Sequence, residues 1–315
     1  MKLTTIADSA AFLRAHDDYL ILTHIRPDGD TLCSAAALCS CLRRLGKRAA
    51  MFPNPEITEN YADHIAPWLT DRPDGNACFV SVDVADANML PEEFIGRVAL
   101  AVDHHPKNPG FAEQTLLNGG KASCGEIVME LIETLCGNLT IEEANLLYIA
   151  VSTDSGCFCY GNTTAETLRA GAHLVDCGAE NGRLNKAIFR SSSFARLKLE
   201  GMIFASLRSY RDHRINVAIV TLDMMRACGA VENDCEDIAS LPGRIRGSVV
   251  NFMIRELAPG RSKASVRTSE QVDASAICAR FGGGGHKMAA GCTYDGSPEE
   301  LAEGLLRVVE EIWPE

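Results

Sequence analysis

Three short apolar runs organise the first half of the chain: 19–23 (YLILT), 77–82 (ACFVSV) and 98–102 (VALAV). Runs this short, bounded by polar segments, read as strands buried on both faces, as in a parallel sheet. A further strand is expected to begin within 47–52. Between the strands the pattern turns helical. After Asp28-Gly29-Asp30, residues 31–45 are rich in Ala and Leu and predict a helix, with Gly46 at its stop. Helical patterns recur near 123–135, 141–152 and 164–177. Strands alternating with helices predict an α/β fold with a doubly wound, mainly parallel sheet.

Residues 189–210 read as a connecting helix with a Ser-rich start. Strand-like segments at 215–222, 249–255 and 264–268, closed by a helix over 298–312, predict a second, smaller α/β domain. The expected division is a first domain over 1–190, a connector over 191–211 and a second domain over 212–315. Pro73-Asp74-Gly75 reads as a plain turn.

The residues that end the apolar runs carry the chemistry. His24-x3-Asp28-x-Asp30 follows the first run, Asp83 the second and Asp103-His104-His105 the third, while Asp154 stands where the 141–152 helix is expected to end. In an open α/β sheet, ligands bind beyond the carboxyl ends of the strands. These side chains are therefore predicted to share one edge. They offer more acid than one divalent cation needs, which points to two metals and to phosphoryl chemistry. Gly29 permits a tight backbone between two acids that can serve neighbouring ions. Side-chain alternation lets one of the paired histidines meet metal while the other faces substrate. A carboxylate at a helix C-terminus, such as Asp154, is disfavoured by the dipole unless a cation is near. Each motif alone has a plainer reading: a common Pro-Asp-Gly turn, a surface loop, a loop cap after a shorter helix. No proposed ligand is a cysteine, and carboxylate with imidazole favours Mn²⁺ or Mg²⁺ over a structural zinc site. Two such ions, typically about 3.5–4 Å apart, clamp the attacking and leaving oxygens of an in-line displacement, with a bridging hydroxide as nucleophile.

Composition adjusts this picture in three places. At 315 residues and 46% hydrophobic, the chain can bury a large core, and its length favours two domains. No apolar stretch is long enough to span a bilayer, and the first residues show scattered charge with no signal-peptide core. A cytoplasmic protein with no membrane partner is expected. The 13 cysteines include no C-x2-C pair and read as reduced thiols filling a core. The net charge of −12 repels long polyanions, yet 244–287 holds eight basic and three acidic residues, a local excess of five positive charges. Within that stretch, Phe281-Gly-Gly-Gly-Gly-His286-Lys287 leaves backbone N–H groups free to approach an anion and reads as a phosphate or nucleotide grip. An acidic chain with one basic face favours short substrates over long ones.

Together, HIRPDGD, SVDVAD, VDHH, STDSGCF and GGGGHKMAAG, in that order and over nearly the whole chain, resemble the DHH phosphoesterases with their associated C-terminal substrate-binding domain. The order and size are most similar to small oligoribonucleases that also act as 3′,5′-bisphosphate nucleotide (pAp) phosphatases. Related members cleave linear or cyclic dinucleotides. The resemblance implies two Mn²⁺ ions, with Mg²⁺ or Co²⁺ as substitutes. His24, Asp28 and Asp83 would hold one. Asp30, Asp83, His104 and Asp154 would hold the other, with Asp83 bridging. His105 would contact the scissile phosphate, and Asp103 would orient the histidines. In the second domain, Arg267 in SVRTS is similar to the family's substrate-binding arginine, and Gly283, Gly284, Gly285 and His286 match its glycine-histidine motif. Two positions depart from the pattern. Cys33-Ser34 stands where the first motif usually continues with Gly-Ser, and Cys159 occupies a position that is often polar or basic. The implied function is a Mn²⁺-dependent phosphoesterase acting on short oligoribonucleotides or dinucleotides and on pAp. The alternatives are a cyclic or linear di-AMP phosphodiesterase, an inorganic pyrophosphatase and a catalytically silent nucleotide-binding protein. Short RNA or small nucleotides are the expected partners, and a homodimer is left open.

Overall fold

The apolar runs become inner strands of a parallel sheet. The computed structural model describes residues 2–70, 77–235 and 238–313, so the Pro73-Asp74-Gly75 turn lies outside the described residues. The chain divides into two units, Met1–Ser191 and Ser192–Glu315. In the first, strands β1 (Lys2–Leu3), β2 (Tyr19–Leu22), β3 (Ala49–Met51), β4 (Cys78–Val82), β5 (Leu100–Asp103) and β6 (Gln114–Leu117) form one sheet. Their order is β1-β6-β5-β4-β2-β3 and every pair is parallel. The order reverses at β2, which has β3 on one side and β4 on the other. A parallel sheet offers its ligand crevice at such a switch point. Helices α1 (Ile6–Ala15), α2 (Gly29–Arg44), α3 (Glu59–Ile65), α4 (Cys124–Cys136), α5 (Ile141–Asp154), α6 (Ala165–Asp176) and α7 (Asn181–Phe189) complete the unit.

Helix α2 is buried from Gly29 through Leu42. Its run of small side chains, including Cys33, Ala35, Ala36, Ala37, Cys39 and Cys41, lets sheet and helices α4 and α5 approach it from several sides. Burying each large apolar side chain of this core contributes about 1.5–3 kcal/mol. All 13 cysteines are unpaired, and only Cys159 is exposed. No helix among the described residues is long and apolar enough to cross a membrane.

Helix α5 continues two residues past the end expected from the sequence and includes Asp154. The hydroxyl residues near its end are satisfied within the helix. Ser152 and Thr153 hydroxyls donate to the Ile149 carbonyl at 3.2 and 2.9 Å, and Ser155 donates to Val151 at 2.6 Å. Such back-bonding lets hydroxyl residues sit inside a helix end. At the other end, Thr140 and Glu143 form a reciprocal capping box.

The second unit holds α8 (Phe194–Ala205), β7 (Arg208–Tyr210), β8 (Ile215–Val220), α9 (Leu222–Cys228), β9 (Val250–Ala258), β10 (Arg261–Thr268), α10 (Ala274–Ala279), β11 (Gly284–His286), β12 (Ala289–Tyr294) and α11 (Pro298–Ile312). Its sheet runs β11-β12-β10-β9-β8-β7, with only β8 and β9 parallel. One face packs on α11, whose Leu301, Ala302, Leu305, Val308 and Val309 form a buried stripe at helical spacing. The segment read as a connecting helix is not one continuous helix. It breaks after Phe189, and α8 belongs to the second unit, where Leu199 and Ile203 are fully buried with Ala218, Val220 and Met253.

Candidate active site

The sheet ends bring the six expected metal ligands together. Past β2 the chain runs through Thr23 to His24, which is 7% exposed and whose carbonyl accepts from the Asn54 amide at 2.9 Å. His24 Nε2 lies 3.8 Å from Asp28 Oδ1 and 3.9 Å from Asp83 Oδ2. Asp28 is the N-cap of α2, accepting from the N–H groups of Asp30 and Thr31, both at 3.1 Å. Asp30, 1% exposed, accepts from the Cys124 and Gly125 N–H groups at 2.6 and 2.9 Å and from the Ser34 hydroxyl at 3.0 Å. Those N–H groups open α4, so the positive end of that helix faces the carboxylate. Ser34, which keeps the Ser of the family motif, thus holds a proposed ligand, while Cys33 beside it, in place of the usual Gly, is fully buried in the core.

Asp83 leaves β4 in the left-handed region, with φ +59°. Asp tolerates that conformation better than most residues, and here it coexists with an Asp83 N–H donation to the Val102 carbonyl at 2.9 Å. Beyond β5, His104 Nδ1 is 3.2 Å from the Lys121 carbonyl. A carbonyl only accepts, so Nδ1 carries the proton and the Nε2 lone pair is left free. That Nε2 stands 3.3 Å from Asp83, 3.5 Å from Asp154 and 3.9 Å from Asp30. Fixing one ring nitrogen so that the other can ligate is the usual arrangement around a metal-binding histidine. His105 turns differently: its Nδ1 is 2.8 Å from Asp103 Oδ1, and 40% of its side chain is exposed.

Three sets of potential ligand atoms each lie within 4.8 Å of one another: His24, Asp28 and Asp83; Asp30, His104 and Asp154; and Asp83, His104 and His105. Burial, together with the charges of neighbouring carboxylates, pushes Asp83 and Asp30 well above the usual carboxylate range, and burial raises Asp154 as well. Asp83 Oδ1 is buried and accepts no hydrogen bond. Closely spaced buried carboxylates, one with an orphaned oxygen, facing imidazole lone pairs are poorly satisfied by protein alone. They suit a hard divalent cation. The Asp103 hydrogen bond is the main cause holding the His105 imidazole above its ordinary value, which favours a protonated, donating ring.

Gly29 shows how the helices set this geometry. A Cβ added there would lie 2.6 Å from Thr153 Oγ1, 2.7 Å from its Cγ2 and 3.0 Å from its Cβ. Thr153 is β-branched and precedes Asp154, so it cannot swing aside freely. Gly29→Ala is expected to cost about 1–3 kcal/mol of stability and to part Asp28 and Asp30 from Asp154, weakening metal binding. Thermal unfolding and a metal titration on the variant check this, and unchanged metal affinity would contradict it.

In the second unit, strand register places Arg267 beside Ala289 and Ala289 beside His286, so the three share one face of the sheet. Asn251 and Asn216 continue the row, with the Asn216 amide donating to Asn251 at 3.1 Å. The glycines read as an open anion loop have a different structural reason. Gly284–His286 pairs antiparallel with β12. A Cβ at Gly283 would lie 2.2 Å from the Gly291 carbonyl oxygen, and one at Gly285, with φ +148°, 2.6 Å from that of Ala289. Only Gly284 of these three has open space around it.

Sequence reasoning missed the residues that support the ligands: Asn54 behind His24, Ser34 and the α4 N-terminus behind Asp30, and the Lys121 carbonyl behind His104. None of them carries a motif. The one available signal was Ser34, which keeps the Ser of the Gly-Ser that usually continues the first motif.

Residues 18–151 match the DHH family, N-terminal domain, and residues 214–313 match the DHHA1 domain. The chain is 30% identical to the bifunctional oligoribonuclease and PAP phosphatase NrnA of Thermus thermophilus, over 93% of this chain and 88% of that protein. The crystal structure of an exopolyphosphatase-related protein from Bacteroides fragilis matches with a TM-score of 0.85 at 22% identity, covering 98% of this chain and 96% of that one. The exonuclease RecJ bound to manganese matches with a TM-score of 0.53 at 16% identity, covering 99% and 95%.

Proposed function

This chain belongs to the DHH family, and we propose that it is a Mn²⁺-dependent phosphoesterase that hydrolyses short oligoribonucleotides and pAp. The observation that carries this reading is Asp83. It stands with His24 and Asp28 in one ligand set, and its Oδ1 lies 3.3 Å from His104 of the set formed with Asp30 and Asp154. We assign one ion to His24, Asp28 and Asp83, and a second to Asp30, Asp83, His104 and Asp154. When bound, such a pair supplies Lewis acidity and lowers the pKa of water at neutral pH. The protein's own groups do the rest. His105, its Nδ1 held by Asp103, offers Nε2–H as a charge-assisted donor to a phosphate oxygen. Asp103 has no free role in this scheme beyond setting that ring. Arg267, on the same sheet face as His286, offers donors to an anionic or base-bearing group, with Gly283, Gly284 and Gly285 shaping the strand beside it. A face of that kind favours nucleotide substrates over pyrophosphate. The 30% identity over most of both chains to a protein named for oligoribonuclease and PAP phosphatase activity supports the same substrates.

The test is direct. Purified protein with Mn²⁺ is given a labelled RNA dinucleotide, pAp, linear pApA and pyrophosphate. Turnover of the dinucleotide and pAp is expected. Hydrolysis of pyrophosphate alone would replace this reading with a pyrophosphatase, and tight nucleotide binding without turnover would replace it with a sensor. Arg267→Ala is expected to raise KM by about 10–100-fold with kcat little changed, the mark of a group that binds ground and transition state alike. A fall in kcat at constant KM would move Arg267 into the chemistry.

A further inference from the structure

The loop after His105 contains a buried amide that spans two of the strand ends. Asn108 is 7% exposed. Its Nδ2 donates to Asp103 Oδ2 at 2.6 Å and to the Val84 carbonyl at 3.1 Å. Its Oδ1 accepts from the Gly110 N–H at 2.7 Å, and its own N–H donates to the His105 carbonyl at 3.0 Å. Asp103, fully buried, accepts on both oxygens. Its Oδ1 accepts from the His104 N–H at 2.9 Å and from His105 Nδ1 at 2.8 Å, which leaves Oδ2 to the amide. Val84 directly follows Asp83, the residue held in the left-handed region.

We infer, resting on the reading of His105 as the phosphate contact, that Asn108 is a positioning residue whose amide locks the Asp103–His105 pair to the turn that carries Asp83. The chemistry of the partners requires an amide. A carboxylate and a carbonyl only accept, so the bridge between them must be a double donor. A neutral side chain with two N–H groups on one nitrogen meets that need, and its oxygen satisfies Gly110. With Oδ2 fixed, the carboxylate cannot rotate, and Oδ1 stays aimed at Nδ1. The imidazole then presents Nε2 in one direction. The same amide sets the distance between the ends of β4 and β5, so the donor ring and the shared carboxylate keep a constant separation. Partners of this outer kind typically contribute about 10–100-fold to activity when lost.

A double-mutant cycle on the full-length protein with Mn²⁺ and the RNA dinucleotide tests this. Asn108→Ala is expected to lower kcat by about 10–100-fold with KM little changed. Placed in a His105→Ala background, it should add no more than about twofold, the scatter expected of measurements on a coupled pair. Equal losses in both backgrounds would show that Asn108 acts on the fold and not through His105. A wild-type kcat in Asn108→Ala would also overturn the proposal. Asn108→Asp keeps the shape and the Gly110 contact while removing both donations, and the same loss is expected from it, which covers the case in which the alanine variant does not fold. A readout independent of turnover separates this inference from the function it rests on. By NMR, the His105 Nδ1 proton held by Asp103 gives a slowly exchanging imidazole resonance that His105→Ala deletes. That resonance is expected to be lost in both Asn108 variants. Its persistence would sink the positioning role even if the enzyme proved to act on another substrate, and its loss would support the role even if no listed nucleotide were turned over.

Discussion

An Asp83→Asn enzyme is expected to lose at least about 10³-fold in kcat/KM for the RNA dinucleotide while its metal-free form becomes more heat-stable. The two effects have one cause. Asp83 is 3% exposed and its carboxylate lies 3.9 Å from His24 and 3.3 Å from His104, so it is the carboxylate we assign to both ions. An amide of the same shape brings neither the charge nor the second anionic oxygen. Lewis-acid stabilisation by bound metal is worth several kcal/mol, and about 4 kcal/mol corresponds to about 10³ in rate. Without metal, the same carboxylate is a burden. Burial and the nearby carboxylates of Asp28, Asp154 and Asp103 oppose its ionisation, and a neutral amide removes that opposition. Turnover assays and thermal unfolding in chelator measure the two halves. Near-normal activity would reject the shared role, and a lower metal-free Tm would reject the idea that the charge is a strain on the fold.

The inner strands were legible because burial on both faces writes a continuous apolar run, as in β2, β4 and β5. Strands with mixed burial write no such run, even inside a sheet. β6 has two buried residues flanked by half-buried ones, and β12 (AAGCTY) is small and alternating, so neither stood out. The ligands were legible for a related reason: a carboxylate or imidazole immediately past a buried strand has few structural excuses. The groups that aim them were not, because Asn54, Ser34 and Asn108 are common turn and helix residues, and no residue type by itself announces which acceptor it will meet. The glycine run has a reason that the sequence did not display. It was read for its freedom, whereas Gly283 and Gly285 are needed where β12 carbonyls pass too close for any Cβ. Asp154 was placed at a helix end, and the helix reaches it through hydroxyl residues that bond back to carbonyls of the preceding turn.

Removing divalent ions is expected to destabilise the first unit, and to do so far more in mild alkali than in mild acid. Asp83 and Asp30 are raised well above the ordinary carboxylate value, and Asp154 is raised too, in each case first by burial. A carboxyl with a raised folded pKa holds a proton in the native state that the unfolded chain has released. Stability from such groups is therefore fully present below the unfolded value, near pH 3.9 or so, and is lost as pH rises through the folded values. As pH rises through the folded values, the metal-free cluster takes on this repulsion, and a bound cation relieves it. At about pH 5 protons compete for the same oxygens, so both the repulsion and the ion's affinity shrink. A ligand at one hundred times its Kd stabilises by about 2.7 kcal/mol, which for a unit of this size raises Tm by about 5–11 °C. Melting in excess Mn²⁺ and in chelator at the two pH values is the measurement. The metal-induced rise is expected to be large at the higher pH and to fade at the lower. A rise of the same size at both would mean that the ion binds groups other than these buried acids, and no rise at either would mean that the cluster is content without a cation.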